Sequence, residues 1–178
     1  MKKIGLVFSL VLFFSVSFQI NAQWFWQNPI PGNNFSTNKI KFFDENNGIV
    51  IGTEGLIFMT TNGGLTWGPI YTGENEKLID ISFINQNFGI IISEQSILKT
   101  TDGGENWTQS NIDGSPSSLS FVSYDLGYCA AFNGIYKTTD GGDNWNLNYQ
   151  DNVHYCSVQF IDDTLGFAVG NEYPQNLY

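Results

Sequence analysis

Apolar and polar positions along the chain keep a beat of about 40 residues. Each beat opens on a short alternating segment that ends in Phe: Ile40-Lys41-Phe42, Ile81-Ser82-Phe83, Leu119-Ser120-Phe121 and Val158-Gln159-Phe160. Alternation over a few residues predicts a half-buried strand. A polar turn and a Gly follow, then a continuous apolar run: Ile49-Val50-Ile51, Ile90-Ile91-Ile92, Tyr128-Cys129-Ala130 and Phe167-Ala168-Val169. An unbroken run of this kind suits a strand covered on both faces. A third segment, such as Ile97-Leu98-Lys99-Thr100, leads into a Gly-Gly turn, and a Trp then opens a fourth. The four Phe are separated by 41, 38 and 39 residues, and the Gly residues at 48, 89, 127 and 166 by the same steps. After residue 22 no apolar segment sustains a helical period.

The Gly-Gly turn recurs almost letter for letter. It reads Thr60-Thr61-Asn62-Gly63-Gly64-Leu65-Thr66-Trp67, then Thr100-Thr101-Asp102-Gly103-Gly104-Glu105-Asn106-Trp107, then Thr138-Thr139-Asp140-Gly141-Gly142-Asp143-Asn144-Trp145. Asp-Gly or Asn-Gly between strand-like runs marks a hairpin. The Asp or Asn side chain can accept backbone N–H groups of its own turn. The glycines permit positive φ, and the Trp can lid the turn while its N–H seeks a partner. Asn62, Gly64, Trp67, Asp102, Gly104, Trp107, Asp140, Gly142 and Trp145 are therefore read as scaffold, with no catalytic residue among them. Four short antiparallel strands in each unit of about 40 residues predict an all-β chain of β-propeller blades. The units run over about 38–72, 78–112 and 117–150, with a partial repeat over 156–178.

The repeated turn resembles the Asp-box, or BNR, repeat, Ser/Thr-x-Asp-x-Gly-x-Thr-Trp. Thr100, Asp102, Gly104 and Trp107 stand at its key positions, as do Thr138, Asp140, Gly142 and Trp145, while Asn62 replaces the Asp in the first copy. The whole unit, Phe followed by Gly and then by the turn, is similar to the photosystem II assembly-factor-like propellers. The resemblance covers roughly residues 24 to 178. It implies a propeller but no single activity, because Asp boxes occur in sialidases, sorting receptors, cellulose-active enzymes and assembly factors alike, so function must be argued from a site.

Residues 1–22 read as a signal peptide: Lys2 and Lys3, an apolar core from Ile4 to Phe18, and a small residue, Ala22, at the cleavage point. That core is short against the ~20 residues of a membrane span. The expected location is extracytoplasmic: periplasm, cell surface or medium. Trp24-Phe25-Trp26-Gln27 continues the beat and reads as a strand over 24–30 from an incomplete blade. Asn176-Leu177-Tyr178 aligns with Gly134-Ile135-Tyr136, directly before the repeated turn. This favours an incomplete fragment of a longer propeller over a closed four-bladed ring.

Charge and composition narrow the chemistry. The formal net charge is −10, and the seven basic residues are all Lys, two of them in the leader. Nucleic acid and anionic membrane surfaces need basic patches, which such a chain does not offer. A sialidase grips its substrate carboxylate with arginines whose planar fork Lys cannot reproduce, and this chain has none. His154 is the only His, so a multi-His metal site is excluded. It falls in a stretch read as an exposed loop. No cofactor is implied. Asp162-Asp163 aligns with Asp44-Glu45 and Asn85-Gln86, which makes these turn residues rather than an acid–base pair. Cys129 and Cys156 read either as two small apolar fillers or as a disulfide of an exported protein.

A ligand is expected at the turns between second and third strands, which vary while the frame repeats. Glu54, Glu94, Asn133 and Glu172 fall there, and Tyr173, Tyr71 and Tyr149 add aromatic surface. The expected function is an exported, non-catalytic binding or scaffold module for a protein or glycan. Its rivals are part of a carbohydrate-active hydrolase with its catalytic residues elsewhere, and an assembly factor for an envelope complex.

Overall fold

The computed structural model describes residues 36–73 and 75–172. The leader 1–22, the strand expected over 24–30, Tyr173 and the rest of the partial repeat lie outside them. Every regular element among the described residues is a strand. β1 (Thr37–Phe42), β2 (Gly48–Gly52), β3 (Leu56–Thr60) and β4 (Gly68–Tyr71) form one antiparallel sheet in sequence order. β5 (Leu78–Phe83), β6 (Gly89–Ser93), β7 (Ser96–Thr100) and β8 (Thr108–Asn111) form a second. β9 (Pro116–Phe121), β10 (Gly127–Ala131), β11 (Gly134–Thr138) and β12 (Asn146–Tyr149) form a third, and β13 (Val153–Phe160) pairs with β14 (Gly166–Glu172). The first strands touch one another from sheet to sheet, β1 with β5, β5 with β9 and β9 with β13. The fourth strands make a largely exposed rim. The sheets are thus propeller blades fanning from an inner edge.

The second strands show why their runs are continuously apolar. β2, β6 and β10 are buried at every residue. Successive side chains of a strand point to opposite faces, so Ile91 packs with Ile49, Ile51 and Ile57 of the first blade. Its neighbours Ile90 and Ile92 pack with Leu119, Cys129 and Tyr136 of the third. The two larger core clusters lie between blades, and the third, Val50, Leu56 and Phe58, is drawn from the first blade alone.

Phe and Gly, which precede the repeated turn within the same beat, form a single device with its Trp. Phe42 pairs with Gly48, Phe83 with Gly89, Phe121 with Gly127 and Phe160 with Gly166. A Cβ on Gly89 would stand 2.3 Å from the Phe83 ring, and one on Gly127 2.6 Å from Phe121. The ring therefore covers bare backbone, as an aromatic does when it rescues a strand glycine. Its edge then meets the Trp of the same blade: 6.0 Å and 83° for Phe42–Trp67, 6.3 Å and 86° for Phe83–Trp107, 5.9 Å and 85° for Phe121–Trp145. That is the edge-to-face arrangement aromatic quadrupoles favour.

Each inner strand carries a β-bulge four residues before its Phe, at Asn38, Ile79, Ser117 and Cys156. A bulge adds twist and re-aims side chains, and here it builds a seam between blades. Asn38 Nδ2 donates to Leu78 O at 2.7 Å, and Ser117 Oγ to Tyr155 O at 2.5 Å. In the other direction Leu119 N donates to Asp80 Oδ2 at 3.0 Å, Val158 N to Ser118 Oγ at 3.3 Å and Phe160 N to Ser120 Oγ at 2.8 Å. Lys39 Nζ completes the seam, 3.3 Å from Asp80 Oδ1.

Two expectations change. Both cysteines are free thiols, but only Cys129 is a buried filler; Cys156, the bulged residue of β13, is exposed. Burial pushes the Cys129 thiol pKa up, with the Asp80 carboxylate adding to it. His154 lies in β13 rather than in a loop and is half-buried, its ring 5.3 Å from that of Phe132. β13 runs eight residues where β5 and β9 run six, so it takes in positions that the other units leave as connection.

Candidate functional site

The three repeated turns are built alike. The first Thr hydroxyl accepts the N–H of the second Gly, at 2.9 Å for Thr60 and 2.8 Å for Thr100 and Thr138. The same hydroxyl donates to Asn62, Asp102 or Asp140 Oδ1 at 3.0, 2.8 and 2.8 Å. Oδ1 in turn accepts the N–H four residues on, at 2.9 Å in every copy. Both glycines of each pair hold positive φ, from 68° at Gly63 to 95° at Gly104, which a Cβ would strain. The N–H of the first Gly bonds to the turn after the inner strand, at 2.8 Å to Asn46 O and Asn87 O and 2.9 Å to Asp125 O. Trp107 and Trp145 Nε1 donate to Gly104 O and Gly142 O at 3.0 and 3.2 Å. Trp67 Nε1 is buried without a partner among the described residues.

The Asn62 copy is a matched exchange. Asp102 and Asp140 Oδ2 accept Asn106 and Asn144 Nδ2 at 2.8 Å. In the first copy Asn62 Nδ2 donates at 2.8 Å to Thr66 Oγ1. Donor and acceptor change places and the bond survives.

These bonds shift acidity. The backbone N–H of Asn106 above all, then its side-chain amide, holds Asp102 down at about 2 against an ordinary 3.8. The Asn144 side chain leads in holding Asp140 at about 2. A carboxyl depressed on folding stabilises above its unfolded pKa, and that contribution is lost as pH falls through the folded one. The double variant Asp102→Asn/Asp140→Asn keeps the Oδ1 acceptor, and a rotated Asn106 or Asn144 amide restores the second bond. It is expected to match the parent in urea unfolding at neutral pH and to lose less stability than the parent from about pH 4 to pH 2. Superimposable acid profiles would refute this account of the turn.

Acceptors also hold the turns after the inner strands. Asp44 Oδ1 accepts Asn46 N and Asn47 N at 2.8 and 2.7 Å, and Asn85 Oδ1 accepts Asn87 N and Phe88 N at 2.8 and 2.9 Å. Asp162 Oδ1 accepts Thr164 N and Leu165 N, both at 2.8 Å. Asp162 therefore works as a turn residue, and its pKa is lowered chiefly by the Thr164 hydroxyl.

The turns expected to meet a ligand lie at the other ends of the blades. Glu54 sits between β2 and β3 and is exposed with φ 59°, followed by Gly55 at 65° and closed by Leu56 N to Thr53 O at 3.2 Å. This is the mirror-type hairpin turn that favours Asn-Gly. Glu94 is exposed between β6 and β7. Asn133, between β10 and β11, is half-buried and donates to the Tyr136 hydroxyl at 2.9 Å, while its Oδ1 is buried without a partner among the described residues. Glu172 is exposed at the end of β14, across from Val153. Tyr71 and Tyr149 end the exposed β4 and β12.

Sequence reading missed Glu76. Its carbonyl accepts Gly55 N at 2.7 Å, and its Oε2 accepts Ser93 Oγ at 2.7 Å and Gln95 N at 3.2 Å, so it ties the first two of these turns together. It lies in an irregular connection with no repeat partner to mark it. Asp80 was equally hidden, because Lys39 and Ser118 stand at its repeat position.

A fan of blades with inner strands side by side, each complete blade closed by the same turn, defines a BNR-type β-propeller. Residues 19–169 match the family model described as photosynthesis system II assembly factor YCF48, and the chain belongs to that family. Photosystem II assembly lipoprotein Ycf48 of Synechococcus sp. (strain CC9902) is 30% identical over 78 residues, which is 42% of this chain and 23% of that protein. The solved structure of YCF48 bound to D1 peptide superposes with TM-score 0.56 at 29% identity, over 63% of this chain and 40% of that one. YCF48 from Cyanidioschyzon merolae gives TM-score 0.61 at 25% identity, over 69% and 42%. The matched part of this chain spans less than half the length of each relative.

Proposed function

We propose that the chain is a non-catalytic propeller module, exported by residues 1–22, that binds an extended segment of a protein partner during assembly of an envelope complex. The supporting observation is membership of the YCF48 family over residues 19–169, joined to a relative solved with a peptide bound. A relative named as a lipoprotein supports a place outside the cytoplasm. The repeated turns serve as frame, their polar atoms spent on their own backbone. Glu54, Glu94, Asn133 and Glu172, at the opposite ends of the blades, form the contact surface, and the sequence assigns Tyr173 to it as well.

The two-residue turn requires left-handed φ at position 54, where a residue other than Gly or Asn costs roughly 1–2 kcal/mol. Glu54→Asn relieves the strain and removes the charge. It is expected to raise the melting temperature while weakening binding of fluorescent peptides copied from extracytoplasmic loops and tails of membrane proteins, read by anisotropy. Absence of saturable binding by any of these peptides, or release of sugar from a glycan substrate, would defeat the proposal.

A further inference from the structure

Between the third and fourth sheets lies a cluster that the repeat does not share. Asp151, in the β12–β13 connection, accepts the Tyr155 hydroxyl at 2.7 Å through Oδ2 and Val153 N at 3.0 Å through Oδ1. The Tyr155 ring stands edge-on to Tyr149, with centroids 6.5 Å apart. Glu172 lies across from Val153, on the same face of β13 as Tyr155, while Phe132, from the β10–β11 turn, leans on His154 of the other face. Five residues before their Phe, the second and third blades bury Leu78 and Pro116, whereas the fourth sheet places a half-buried Tyr155 there. Where the second blade has Glu94 after its second strand, the third has Phe132. Tyr149 is 52% and Phe132 47% exposed.

Charge decides what such a cluster attracts. The only Lys of the two sheets, Lys137, is occupied 5.4 Å over the Tyr128 ring. Asp151 and Glu172 therefore face their surroundings with no ammonium from this part of the chain. Aromatic faces attract cations, the more so beside a carboxylate.

We propose that Tyr149, Tyr155, Asp151 and Glu172 form a cradle for one basic side chain, Arg or Lys, of an extended protein partner. This rests on the peptide-binding reading above and names the residue type that the surface selects. Asp151 is already held in place by Tyr155 and Val153, so the carboxylate is positioned before the cation arrives. Preorganisation of this kind lowers the ordering cost of binding.

The test is an amide NMR titration of the full chain with acetyl-Gly-Arg-Gly-amide and with its citrulline counterpart, which keeps the shape and loses the charge. The Arg tripeptide is expected to shift amides of residues 149–155 and 171–172, and the citrulline one to leave them in place. Tyr149→Ser, at an exposed rim position, should weaken the Arg response about two- to fivefold. Asp151→Asn keeps the Val153 cap and should weaken it about fivefold or more. Shifts absent with both tripeptides, or undiminished in both variants, would overturn the cradle. Panel peptides that bind elsewhere and leave these amides unmoved would also overturn it while the peptide-binding reading stands; no response to panel or tripeptide removes both.

Discussion

Gly89→Ala is expected to destabilise the chain by about 1–3 kcal/mol, the range for overpacking a filled interior. The added methyl would meet the Phe83 ring at 2.3 Å. The ring has little room to retreat, because Phe43 lies against it at 4.7 Å and Trp107 meets it at 6.3 Å. In a Phe83→Leu background the same methyl replaces lost ring volume, so its cost should fall below about 1 kcal/mol. Urea midpoints of the two single variants and the double variant measure this coupling. Equal cost of Gly89→Ala in both backgrounds would show that the ring does not cover the glycine. Gly127 and Phe121 should behave in the same way, since there the methyl meets the ring at 2.6 Å.

Asp80→Ala is expected to lose about 1–3 kcal/mol, because a buried N–H, that of Leu119, is left without an acceptor. Little of the loss comes from the ion pair. The Lys39 side chain is 54% exposed, and exposed pairs contribute roughly 0–1 kcal/mol, so Lys39→Ala should be mild. The informative replacement is Asp80→Ser. Ser118 stands at the same position of the next blade and receives Val158 N through its hydroxyl. Asp80→Ser is therefore expected to recover most of the loss in thermal and urea melts. A serine variant as unstable as the alanine one would mean that the carboxylate charge, not its acceptor atom, holds this seam.

Much of the fold was legible because the repeat writes each structural statement several times. The second strands showed burial on two faces through unbroken apolar runs such as Ile90-Ile91-Ile92, and β6 is buried throughout. The inner strands were harder to read. The bulges at Asn38, Ile79, Ser117 and Cys156 share a position but no residue type, so no side-chain pattern announces them. His154 read as a loop residue because β13 is longer than its counterparts β5 and β9. The contact surface was legible only as a set of turns. The chemistry within it depends on partners far apart in the chain, such as Phe132 with His154 and Glu76 with Ser93, and a single sequence does not record such pairings.

The ring over the glycine bears on how the central strands find their alignment. In a sheet with one wet face, slipping by one residue is punished at once, since it sends the oily side chains outside. β6 has no wet face, so a slipped β6 would keep every isoleucine under cover and desolvation would be blind to the error. The Phe83–Gly89 pair supplies the missing proofreading: moved one step, the phenyl group would collide with the sec-butyl branch of Ile90 instead of resting on bare Cα.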